Sequence, residues 1–267
     1  MGIAFPDTLL EEKESLKEKT AKLGLVTRAC AIYGVDLVEV FVDDKGRGET
    51  PLIKKVLEFL ETPQYLRRRI YPLDEALRYA GILPPLRIPS HKPKVALGGL
   101  LVGEIREGVT NEDGTVDVGL DEAPRMVGRE DPDRRVTVRI RSKAPLVAEL
   151  VSRDQVKEYW GYRVEAKSAR DVFSDQRFGL KISTSRLGAP LATQLSKLRS
   201  SILAAAGIKL VFGSPSRGLF DIMGGELSRK SDFVVNLFPD QHVQTVRTEE
   251  AIFAGLNLVN VLAVEKA

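Results

Sequence analysis

Apolar and polar positions fall into three successive textures along this chain, and each predicts a different set of elements. The run GLVTRACAIYGVDLVEVFVDD is almost continuously apolar. It predicts a strand, a helix beginning near Arg28, a break at Gly34 and a second strand, VDLVEVFV, of the kind buried in parallel sheets. PLIKKVLEFL, Pro51 to Leu60, carries its apolar residues at helical spacing on one face. A further amphipathic helix is predicted around Leu73 to Tyr79, closed by Gly81.

The texture changes at ILPPLRIPSHKP, where Pro84, Pro85, Pro89 and Pro93 oppose both helix and central strand and mark a boundary. Beyond it, LVGEIREGVT, TVDVGL and RRVTVRIRS read as short strands separated by turn signals, with a hairpin at Asp113-Gly114. A five-stranded OB-like β-barrel, an architecture that often binds nucleic acid strands, suits this length. The last hundred residues return to alternation: RFGLKISTS, IKLVFGSP and DFVVNLFP as strands, ATQLSKLRSSILAAAG and TEEAIFAGLNLVNVLAV as helices. The predicted fold class is therefore α/β, over 1–89 and 166–267, interrupted by a β domain over 90–165.

Composition narrows the setting. With 267 residues, 43% hydrophobic and 29% charged, the chain has enough apolar content to fold, and no stretch nears the roughly 20 apolar residues of a membrane span. The charged N-terminus does not read as a secretory signal. A single cysteine, Cys30, and two histidines, His91 and His242, argue against a disulfide and a metal site, so a reducing, cytoplasmic location is expected. Lys and Arg number 40 against 37 Asp and Glu. Cationic charge is densest at Arg67-Arg68-Arg69, which forms either a phosphate-contacting surface or a solvated helix end.

In open parallel sheets, ligands collect beyond the carboxyl ends of the strands. Three segments follow late strands: Thr184 to Gly188, Phe212 to Gly218, and Asn236 to His242, which leads into Thr245 to Glu250. Neither GxGxxG nor GxxxxGK[ST] is present, which counts against a nucleotide-dependent enzyme of conventional type. Each loop taken alone is also explained by turn geometry. Thr248, Glu249 and Glu250 read as a helix cap with first-turn acids. Arg28, between Val26 and Ala29, either finds a partner or extends its guanidinium to the surface. Cys30 suits a small core position, and His242 a surface loop. Tyr159, Trp160 and Tyr162 either stack on bases or anchor the barrel by packing.

Five segments in order, ETPQYLRRRIYP, GILPPLRIPSH, YWGYRV, VFGSPSRGL and TVRTEEAIFAGL, together resemble the SPOUT-superfamily methyltransferases, and within them the archaeal and eukaryotic RNA uridine N3-methyltransferase group. The resemblance implies an α/β knot, a deep trefoil near the C-terminus, split by the OB-like barrel. It further implies S-adenosyl-L-methionine held in a bent form, a homodimer and an RNA substrate. Carried over by position, the cofactor pocket falls on Thr184 and Arg186, on Gly213, Ser214, Pro215 and Gly218, and on Asn236, Leu237, Gln241 and Thr245. Ser214 departs from the family pattern, which commonly has glycine there.

Arg28, with Gly34 and Val35 after it, is similar to the first motif of a SPOUT branch whose arginine is implicated in catalysis. An in-line methyl transfer to N3 asks for a cation that stabilises the uridine anion, a role expected of Arg28 with help from Arg247. Arg67, Arg68 and Arg69 would contact RNA. A competing expectation is an RNA-binding adaptor that keeps the fold without turnover.

Overall fold

The structure, a computed structural model, describes residues 1–10, 13–44 and 48–264. The chain divides into two compact units, one of residues 1–58, 76–84 and 162–267, the other of residues 59–75 and 85–161.

The first unit is a mixed α/β fold around an entirely parallel sheet. Its strands are β1 (Gly2–Pro6), β2 (Leu37–Val42), β8 (Arg163–Ser168), β9 (Leu180–Pro190), β10 (Ile208–Val211) and β11 (Phe233–Asn236), in the order β11-β9-β10-β1-β2-β8. The helices are α1 (Leu16–Tyr33), α2 (Thr50–Glu61, whose last turn enters the second unit), α4 (Ala169–Ser174), α5 (Leu191–Ala204), α6 (Leu219–Met223), α7 (Leu227–Lys230) and α8 (Thr248–Ala263). One face of the sheet buries Ala4, Phe41 and Val211 against Val172, Phe173, Leu219 and Leu227.

Two predicted elements change. The segment read as a strand followed by a helix from Arg28 is one helix, α1. It starts at Ser15, whose hydroxyl accepts from the Glu18 amide while the Glu18 carboxylate reaches back, a reciprocal cap. Leu23, Val26, Ala29 and Cys30 are fully buried along it, so its apolar run lacks the polar stripe that marks a helix. Gly34, at φ 66°, ends it as expected. The helix predicted over Leu73 to Tyr79 is instead two 3-10 turns, Glu75–Leu77 and Ala80–Ile82.

The second unit contains α3 (Gln64–Ile70) and the strands β3 (Ile105–Thr110), β4 (Val116–Asp117), β5 (Arg125–Met126), β6 (Arg135–Lys143) and β7 (Leu146–Leu150). Their order is β4-β3-β6-β7-β5, and a bridge between Thr115 and Arg125 joins the two edges, so the sheet is nearly closed. Val116, Val118, Val138, Ile140 and Ala148 fill its interior. The Asp113-Gly114 hairpin forms as read, with Gly114 at φ 78°.

Residues 59–75 pack with this β unit, although the sequence places them with the α/β part. Charge explains it. Glu61, 3% exposed, receives Arg135 at 2.7 Å and Arg153 at 3.0 Å, and Glu107 receives Arg135 at 2.7 Å and Trp160 Nε1 at 2.6 Å. Gly161, at φ 100°, leaves room for this cluster, since a Cβ there would lie 2.3 Å from Glu61 Oε1. Trp160 is thus packing, not a stacking platform. Arg67 is committed too, donating to the Thr62 and Leu60 carbonyls at 2.8 and 3.0 Å, and Arg69 donates to Asn111, Thr110 and Asp133. Arg68 is exposed and, among the described residues, has no hydrogen-bond or ion-pair partner.

In the α/β unit, Glu39 and Lys209, both fully covered, form an ion pair inside the sheet, and Lys209 Nζ also donates to the Val172 carbonyl at 2.8 Å. Removing one partner strands a buried charge. Lys209→Ala should lower unfolding free energy in urea by about 3–5 kcal/mol, whereas the Glu39→Gln, Lys209→Met pair should recover most of that loss.

Candidate active site

The site lies at the carboxyl ends of β9, β10 and β11. β9 pairs with β11 as far as Ser183 against Val234, and the ladder resumes at Ala189 against Val235. Residues 184–188 therefore leave the β11 ladder between two adjacent rungs. Gly188 makes the return possible: a Cβ there would lie 2.8 Å from the Val234 carbonyl oxygen and the Val235 carbonyl carbon. Asn236 ties the excursion down, its Nδ2 donating to the Arg186 carbonyl at 3.0 Å while its Oδ1 accepts from Phe238 N at 2.9 Å.

The second loop follows β10. Ser214 N donates to the Arg217 carbonyl at 2.9 Å, and the Ser214 hydroxyl accepts from Arg217 N at 3.1 Å. Serine at this position thus closes the turn through its side chain, and its φ demands no glycine among the positive-φ residues of the chain. A Cβ on Gly213 would meet the Arg217 oxygen and Leu219 nitrogen, each at 3.0 Å. Arg217 forms an ion pair with Asp43, just past β2, and Asp43 N donates to Asp7 Oδ1 at 3.1 Å. Asp7, fully buried after β1, has its pKa raised chiefly by burial and also by the Asp43 charge. Sequence reading missed this acidic anchor, because its residues are 36 positions apart and meet only through the parallel pairing of β1 with β2.

The third segment leads into α8. Arg247, not Thr248, is the cap residue, and its amide donates to the Glu250 carboxylate at 2.8 Å. Thr248 turns inward instead, donating to the Gly213 carbonyl at 2.9 Å and fastening the second loop to the helix.

These ties surround a cavity of about 220 Å³. Thr184 and Arg186 line it from the first loop, Gly213, Ser214, Pro215 and Gly218 from the second, and Asn236, Leu237, Gln241 and Thr245 from the third. All ten residues named from the sequence for a cofactor pocket meet here. Phe212, Phe238 and Val246, not named there, add apolar wall. Among the described residues that line it, two are charged, Arg186 and Asp221. Arg247 lines an adjoining groove, while Arg28 lines neither and lies on α1 three positions beyond the groove residue Leu25. His242 is exposed, and burial raises the Cys30 thiol pKa far above its ordinary value, leaving no thiolate nucleophile. Among the described residues no cluster could hold a metal ion.

Comparison with known proteins shows the family. Residues 1–259 match the model of the family described as "Putative RNA methyltransferase", and the chain belongs to that RNA methyltransferase family. Over 96% of its length it is 29% identical to the human 28S rRNA (uridine-N(3))-methyltransferase, covering 76% of that protein, and 30% identical to the mouse one, covering 74%. It is 34% identical to an uncharacterized protein of Haloarcula marismortui, with 96% of both chains covered.

The Gly188 crossing predicts a sharp dependence. Gly188→Ala should separate β9 from β11, cost about 1–3 kcal/mol in urea unfolding as overpacking does, and weaken ligand binding in the cavity measured by calorimetry.

Proposed function

We propose that this chain uses S-adenosyl-L-methionine to methylate N3 of a uridine in structured RNA, with ribosomal RNA as the favoured class. The convergence of ten residues from three separate loops on one cavity carries the reading. The lining also fits the donor. Apolar walls suit a purine, backbone groups on the rims suit directional hydrogen bonds, and one arginine balanced by one aspartate suits a ligand without phosphates. Relatives named as 28S rRNA uridine-N3 enzymes support the acceptor atom.

When bound, the donor supplies a methyl group on an electrophilic sulfonium. The protein's part is alignment and charge. The three fastened loops fix the donor cavity, so the acceptor need only be brought into line. Arg247, on the adjoining groove, stabilises the developing uridine anion, and Arg28 contributes from α1. N3 lies on the Watson-Crick edge, so the target uridine is unpaired or flipped when it reacts.

Further parts of the reading concern architecture. The strand order of the second unit, with its single parallel pair of β5 with β7, supports an OB-like barrel. The excursion of β9 supports an α/β knot. Homodimerisation through exposed apolar side chains of α1 and α8, among them Leu25, Ile32 and Val261, completes the proposal, with Arg68 on the RNA path and the cytoplasm as the location.

The purified chain should bind S-adenosylhomocysteine in calorimetry, and nucleoside mass spectrometry should find 3-methyluridine in RNA treated with it and the donor. Binding of RNA without donor binding or methyl transfer would instead support the adaptor reading.

A further inference from the structure

Beside the donor cavity runs an open groove of about 670 Å³, sharing Pro215, Ser216, Gln244 and Thr245 with it. Its walls carry three carboxylates, Glu14, Glu18 and Glu249, and two cations, Lys22 and Arg247. The carboxylates are not equivalent. Glu14 is paired with Lys22, which also donates to the Leu9 carbonyl at 3.1 Å. Glu18 is held by Ser15, whose amide and hydroxyl lie 2.8 and 2.7 Å from its Oε2, and those hydrogen bonds lower its pKa. Glu249 is 3% exposed, and its covered Oε2 has no hydrogen-bond partner.

A buried carboxylate oxygen left without a hydrogen bond is costly, and structure alone gives little reason to keep one where glutamine has the same shape. Burial raises its pKa, its own backbone amide, Lys22 and Arg247 oppose that rise, and Glu250 adds to it. A carboxylate raised in this way takes up a proton more readily than an ordinary one, as a general base must. The chemistry proposed for the site needs such a group. Uridine N3 carries a proton, and neither Arg28 nor Arg247 accepts one.

Resting on the methyltransferase reading, we propose that Glu249 is the proton acceptor of the reaction, turning Oε2 toward the groove when the base enters. As the bond from N3 to the methyl carbon forms, the electron pair of the carbon-sulfur bond remains on sulfur, and the N3 proton passes to Glu249. A positive sulfonium, a neutral uridine and a carboxylate thus become a neutral thioether, N3-methyluridine and a carboxylic acid. The acid then releases its proton to water in the open groove.

The test uses the full chain and an RNA that the wild type methylates. In Glu249→Gln, single-turnover methyl transfer near neutral pH should fall by about 10²–10⁴-fold, and the acid limb of the wild-type pH-rate profile should disappear. Calorimetric affinity for S-adenosylhomocysteine should stay within about twofold. Stability gives a separate readout. With its folded-state pKa raised, Glu249 favours the fold at low pH, and that contribution is lost as pH rises through the folded pKa. Glu249→Gln should therefore match or exceed the wild-type urea midpoint at pH 8, with the difference shrinking toward pH 5. Glu249→Asp, which keeps the carboxylate, should restore part of the rate together with the acid limb.

A Glu249→Gln protein with the wild-type rate and profile overturns the assignment while leaving the methyltransferase reading intact. So does joint loss of stability and affinity with the profile unchanged. A wild-type chain that neither binds S-adenosylhomocysteine nor methylates RNA overturns both.

Discussion

Where β9 returns to β11 at Gly188, two backbones pass so closely that a single methyl group would collide with the Val234 carbonyl. The first loop of the cavity is referred to that crossing. It lets the chain leave the sheet for five residues and come back in register, and it sets Arg186 where Asn236 can hold its carbonyl. The second loop is then fastened at two points, by Thr248 from the start of α8 to Gly213 and by its own Arg217 to Asp43. A cavity made from loops is ordinarily soft. Here each loop is tied to a strand end or a helix start, so the cavity inherits the rigidity of the sheet.

The buried charges sort by whether they are answered. Glu39 meets Lys209, and Glu61 and Glu107 share Arg135, with Arg153 and Trp160 completing the set. Such groups hold an arrangement in place, since removal of either partner leaves the other uncompensated. Glu249, which borders the groove, has only more distant cations and leaves its covered Oε2 without a hydrogen bond. Strain retained beside a cavity is where folding and chemistry part company.

Much of the architecture was readable where the periodicity was clean. PLIKKVLEFL, ATQLSKLRSSILAAAG and TEEAIFAGLNLVNVLAV show helical spacing and became α2, α5 and α8, while IKLV and FVVN became β10 and β11. α1 was misread because most of its middle is buried, and the informative signal was local: Ser15 followed by Glu18. β1 is only five residues long, too short to show a period of its own, and is followed by a charged stretch, DTLLEEKESLKEK. The ten cavity residues came from a family resemblance. Their convergence depends on the strand order, which no local pattern encodes. Thr248 reads as a cap in the sequence because its inward bond, to the Gly213 carbonyl, depends on a loop 35 positions away.

Among the described residues, the cavity draws its lining from residues 184–251, a single stretch near one end of the chain, whereas the neighbouring groove also needs the start of α1 from the opposite end. The two surfaces are thus encoded separately. On the proposed reading, alterations confined to the first helical turns would retune which base is admitted and leave the methyl-donating side as it was, giving one chassis the means to serve different target sequences.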